Sequence, residues 1–163
     1  MLDELRDLLA VLRRDSDGGA PRASLPKVDD LPALVATMRA AGLEIVWTDT
    51  GDRTSLAPAV SLAAYRIIQE ALTNASKHGA GTATLRTDWR RDGLVITVTN
   101  PTTTATGERG MSGGGHGLIG MRERALGNGG SLEAGLVDTI FRVWAYLPAV
   151  PQRMELGDAE VSS

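Results

Sequence analysis

The chain has 163 residues, 42% of them hydrophobic, which is enough for one compact domain with tails around a single core. Seventeen basic against twenty acidic side chains leave a formal charge of -3, so no global positive field exists to gather nucleic acid or an anionic membrane. With no cysteine there are no disulfide staples or thiolate metal sites, in agreement with a reducing cytoplasm, and no apolar run nears the roughly 20 residues that cross a bilayer.

From Met1 to Arg14, Leu2, Leu5, Leu8, Leu9 and Leu12 recur at helical spacing with charges between them, and the start is charged rather than signal-like. Asp15 to Lys27 has the glycine, proline, serine and alternating charge of an exposed linker. A short helix is predicted from Asp29 to Ala41, capped by Asp29 or Asp30 and stopped by Gly42, followed by a strand from Leu43 to Thr48. Pro58 to His78 is the strongest helix, with Val60, Ala64, Ile67, Ile68, Ala71, Leu72 and Ala75 in one stripe and Gly79 at its end. Thr82 to Trp89 and Leu94 to Thr99 alternate as strands around Arg91-Asp92-Gly93, where Asp-Gly signals a hairpin. Pro101 to Gly115 is a threonine- and glycine-rich stretch too long for an ordinary connection. A helix from Leu118 to Leu126, strands at Ser131 to Ala134 and Thr139 to Leu147, and a polar tail complete an α+β sandwich.

Two features carry chemistry. On the long helix Glu70, Asn74, Lys77 and His78 stand at i, i+4, i+7 and i+8 and project from one face, beside the apolar stripe. A carboxylate and an amide oxygen one turn apart are hard-oxygen groups that Mg²⁺ accepts, with water and phosphate filling the octahedron, and Lys77 and His78 could meet phosphate charge. Taken alone the pattern reads first as a solvated face with a favourable Glu-to-Lys spacing. The second feature is Gly113-Gly114-Gly115-His116-Gly117-Leu118-Ile119-Gly120, a glycine run opening directly into a helix, where backbone amides form an anion site suited to phosphate. Its Gly115-x-Gly117-x-x-Gly120 spacing lacks the preceding strand and βαβ unit of a dinucleotide fold, and no Gly-x-x-x-x-Gly-Lys-Ser/Thr loop is present.

Together these stretches resemble a known family. Ala64-Tyr65-Arg66-Ile67-Ile68-Gln69-Glu70-Ala71-Leu72-Thr73-Asn74-Ala75-Ser76-Lys77-His78 is similar to the N box of the sensor histidine kinase ATPases, and Gly115-His116-Gly117-Leu118-Ile119-Gly120-Met121-Arg122-Glu123-Arg124 to their G2 box. The wording is nearest to the subfamily whose response regulators are of the NarL type, the likeness runs from about Leu25 to Pro148, and Asp138-Thr139-Ile140-Phe141 resembles the family's Gly-Thr-x-Phe strand with Asp138 for glycine. The resemblance implies a Bergerat-type ATP-binding fold of the GHKL superfamily: a two-layer α/β sandwich with a mixed, mainly antiparallel sheet and a mobile ATP lid. By the same analogy Asn74 binds Mg²⁺, and Glu70 assists the metal or activates the attacking imidazole. Lys77 and His78 lie near phosphate, Gly113, Gly114, Gly115, His116, Gly117, Leu118 and Gly120 cradle it, and Thr139 approaches adenine.

The family normally carries Asp-x-Gly-x-Gly after the strand that here ends Ile96-Thr97-Val98-Thr99-Asn100-Pro101. Asn100 can still accept the adenine N–H bond, without the charge that strengthens it. The only histidines, His78 and His116, fall inside the implied nucleotide site, and neither is followed by the Asp/Glu of an acceptor box. The resemblance therefore implies an end of a dimerisation helix at 1–14, a linker at 15–27, an ATP-binding catalytic domain at 28–148 and a disordered tail at 149–163. Its implied partners are Mg-ATP, a dimerisation and phospho-acceptor domain outside this chain and a response regulator, in a cytoplasmic part of a homodimeric parent that a membrane could anchor. Other readings are an anti-sigma-factor serine kinase of the same fold and a non-catalytic nucleotide-binding module.

Overall fold

The computed structural model describes residues 25–103 and 115–151. The leucine stripe of 1–14, most of the linker, the heart of the glycine-rich stretch with Gly113 and Gly114, and the tail beyond 151 lie outside the described residues.

A 3-10 turn, Val28–Asp30, opens the fold, fastened where the Lys27 amide donates to Asp30 Oδ2 (2.9 Å) and the Val28 amide to Ser61 Oγ (2.9 Å). It leads directly into α1, Leu31–Ala40, which begins two residues later than the sequence predicts because its first turn is wound more tightly. Gly42 then turns the chain at φ 105°, where a side chain is strained, and β1 runs over Glu44–Thr50. The long helix α2 occupies Pro58–His78, the predicted span, with proline in its first turn, where a missing N–H costs nothing. Its stripe from Val60 to Ala75 is buried, and each fully buried isoleucine or leucine contributes about 1.5–3 kcal/mol. Gly79 ends α2 with an extended backbone rather than the left-handed cap that glycine usually signals.

Next come β2 (Thr82–Arg90), β3 (Gly93–Pro101), α3 (Gly115–Gly127), β4 (Ser131–Val137) and β5 (Ile140–Pro148). The five strands form one mixed sheet in the order β1-β2-β3-β5-β4, with β1 parallel to β2 and the other pairs antiparallel. The parallel pair follows from α2, which crosses over between β1 and β2 as such a connection requires. Arg90 pairs with Gly93, so the hairpin turn is Arg91-Asp92, and neither residue has a positive φ. The hairpin expected around Arg91-Asp92-Gly93 is present, with its turn on the first two of these residues. Gly93 is already in the strand, where a Cβ would fall on the Leu147 carbonyl of β5.

Strand alternation places Leu85, Val98, Val143 and Ala134 in one row against the helices, and Thr48, Arg86, Thr97, Trp144 and Glu133 in a row on the opposite face. The buried Thr87 donates to Asp49 Oδ1 (2.7 Å) and accepts from Trp47 Nε1 (2.9 Å), and among the described residues no buried side-chain polar atom lacks a partner. Ala149 is held by two backbone bonds, to Asp92 and Ala57 (both 2.8 Å), so order extends past the predicted start of the tail.

Candidate nucleotide site

The site is assembled from the C-terminal half of α2, the first turn of α3 and the adjoining ends of β3 and β5. Glu70 and Asn74 lie half-buried one turn apart on α2, while Lys77 and His78, in its last turn, are exposed. Both are basic side chains at the negative end of the helix dipole, the favourable end for positive charge. The first turn of α3 comes against Glu70. A Cβ at Gly117 would fall on Glu70 Oε1 and lie 3.3 Å from its Cδ, so these two stretches, 47 positions apart in the sequence, meet in space.

At the end of α2 a second group of residues converges. Asn100 is 4% exposed, and its Nδ2 donates to the Pro101 carbonyl (3.4 Å) and faces Gly79, where a Cβ would stand 2.8 Å from it. The Ala80 amide donates to the Pro101 carbonyl (3.0 Å), and Gly79 bridges to Thr102. Thr102 in turn donates from its amide (2.7 Å) and its Oγ1 (3.1 Å) to the Thr139 carbonyl. Thr139 is exposed at the β4–β5 turn, and Phe141 sits opposite Asn100 in the sheet, half-buried against the core.

Two groups of the expected site residues are therefore brought together: Glu70 with Gly117, and Asn100 with Thr139 by way of Gly79 and Thr102. The others differ. Leu118, counted with the phosphate cradle, packs its side chain on the core, which leaves only its backbone for such a role. His116 is exposed, a Cβ at Gly120 would meet Arg124 Nη1 at 3.1 Å, and Gly115 opens α3. Gly79 and Thr102 were not singled out by sequence. A terminal glycine reads first as a helix stop, and only the bridge from Gly79 to Thr102 and the approach of Asn100 show that it belongs to this group.

Among the described residues no group of three or more His, Cys, Asp or Glu side chains gathers. A cation here would take Glu70 and Asn74 at most from the described part, a sparse oxygen set that suits Mg²⁺, which keeps water and phosphate as ligands. Tyr146 lies at the other end of β5, where burial, and then its donated bond to Asp92 Oδ2 (2.9 Å), pushes its phenol above the usual range.

No protein-family model and no curated protein matches the sequence. Solved structures do. A blue-light activated histidine kinase from Erythrobacter litoralis EL346 superposes with a TM-score of 0.61 at 17% identity, over 76% of this chain and 42% of that one. The catalytic domain of histidine kinase ThkA gives 0.57 at 12% identity, over 76% of this chain and 91% of that one. The chain has the fold of histidine kinase catalytic domains. Histidine kinase AdeS of Acinetobacter baumannii matches at 0.56 and 12% identity, over 91% of this chain and 76% of that one. This chain thus spans less than half of the Erythrobacter kinase but most of the isolated ThkA domain. Among the described residues no helix is long and apolar enough to cross a membrane.

Proposed function

We propose that this chain is the ATP-binding catalytic domain of a two-component sensor histidine kinase, of the subfamily whose regulators are NarL-like. In this reading it transfers the γ-phosphoryl group of Mg-ATP to a histidine on a separate dimerisation domain, from which a response regulator receives it. The observation that carries the reading is the meeting of Glu70 on α2 with Gly117 on α3, which joins the N-box-like and G2-box-like stretches at one place in a histidine kinase fold.

Phosphoryl transfer asks a protein mainly for positioning and charge neutralisation. Asn74, with help from Glu70, would hold Mg²⁺, which when bound neutralises charge on the phosphates. Lys77 and His78, in the last turn of α2, would meet phosphate charge, and the backbone amides at the start of α3 are suited to phosphate oxygens. Glu70 would take the proton from the attacking imidazole. Asn100 already directs its NH₂ at the Pro101 carbonyl, so its carboxamide oxygen is the atom left to accept from the adenine amino group, with Thr139 close by through Thr102. The assignment to the cytoplasm and to a homodimeric parent belongs to the same proposal.

The test is incubation with γ-labelled ATP and a separately produced dimerisation domain carrying the acceptor histidine. Acid-labile label on that histidine is expected, together with no such label on the chain alone. Label on serine of a protein partner would point to the serine kinase reading instead. Nucleotide binding without any transfer would favour a non-catalytic sensor, which the asparagine at position 100 makes the strongest rival.

A further inference from the structure

Glycine is the poorest helix former after proline, so a glycine inside a helix needs a reason. After Gly115, which opens it, α3 holds three more glycines, and they differ in what surrounds them. A Cβ on Gly127 would meet nothing within 4 Å, and one on Gly120 would meet only the far end of Arg124, at 3.1 Å. A Cβ on Gly117 would meet three atoms of one side chain on another helix: it would fall on Glu70 Oε1 and stand 3.3 Å from Cδ and 3.5 Å from Cγ. Gly117 has no positive φ, so its own backbone does not demand glycine. The reason lies across the α2–α3 contact.

We propose that Gly117 is a positioning residue for Glu70: its bare Cα leaves the space in which the Glu70 carboxylate stands, and any side chain at 117 drives that carboxylate away. This rests on the kinase reading for the work that Glu70 does, but the steric claim does not. It adds to the backbone role of the glycine run a separate demand for the absence of a methyl group at one position. Because the group in the way is the end of a flexible side chain, substitution should move Glu70 rather than unfold α3.

The experiment is a cycle of four proteins, namely wild type, Gly117→Ala, Glu70→Ala and the double variant. Each is tested for thermal unfolding and for transfer of labelled phosphoryl to the dimerisation domain at saturating ATP. In unfolding, Gly117→Ala should raise the melting temperature in the Glu70→Ala background, where only helix propensity acts, and raise it less or not at all beside Glu70. In transfer, Gly117→Ala should lower the saturated rate about a hundredfold, as loss of a proton acceptor does, and lower it by a much smaller factor once Glu70 is gone. Equal effects in both backgrounds, in either measurement, would overturn the proposal, as would a loss carried only by the KM for ATP. If wild type transfers nothing, the kinase reading fails while the unfolding cycle still decides the steric claim.

Discussion

At Asn100, packing and nucleotide recognition make opposite demands. The side chain is 4% exposed, with its NH₂ on the Pro101 carbonyl at 3.4 Å. A carboxylate in its place would lose that donor and lie buried beside a carbonyl oxygen, at a cost of about 1–3 kcal/mol. Asn100→Asp is therefore expected to lower the melting temperature of the nucleotide-free chain, at ~4 °C per kcal/mol, while enlarging the rise that Mg-ATP produces, because a charged acceptor bonds more strongly. Thermal scans with and without nucleotide read both effects, and an unchanged nucleotide-free melting point would contradict the buried-amide argument. The candidate residues on α2 were legible because helix arithmetic fixes their common face. That Glu70 meets Gly117, and that Asn100 is buried against Gly79, was not, since both depend on how elements distant in sequence cross.

The turns and strand ends carry their own tests. Asp138 closes the β4–β5 hairpin at φ 55°, the left-handed region in which a glycine would be unstrained. Asp138→Gly should relieve up to about 1 kcal/mol, partly offset by the freer unfolded chain, and so raise the melting temperature by a few degrees. A drop would show that the aspartate side chain stabilises the turn. At the other end of β3, Gly93→Ala would place a methyl on the Leu147 carbonyl and 3.0 Å from Pro148 Cα, where it must push β5 away. A loss of about 1–3 kcal/mol in urea unfolding is expected, and an unchanged midpoint would deny the close approach. Alternation in Thr82 to Trp89 and Leu94 to Thr99 was enough to find both strands. The hairpin between them was legible too, but not the role of Gly93, because glycine answers two needs, a positive φ and a close backbone, and Asp-Gly in sequence does not say which.

For the molecule as a whole, the sandwich was legible from the helices predicted at Asp29 to Ala41, Pro58 to His78 and Leu118 to Leu126 and from five predicted strands, whereas the strand order was not. Nothing local in Leu43 to Thr48 says that this strand lies parallel to β2 at the sheet's edge. That arrangement follows from α2 crossing between them and burying Ile67, Ile68 and Leu72 on the sheet. The fold brings Glu70 to Gly117 and, at the end of α2, Asn100 to Gly79, and the proposed nucleotide site rests on these two approaches. The most direct measurement of that claim is calorimetric titration of the chain with millimolar Mg-ATP, beside the Asn74→Ala variant. The expected result is saturable heat that requires Mg²⁺ and is lost in Asn74→Ala, with the folded state of the variant verified by its melting curve. No heat from the wild-type chain, or the same heat from a folded Asn74→Ala, would contradict it.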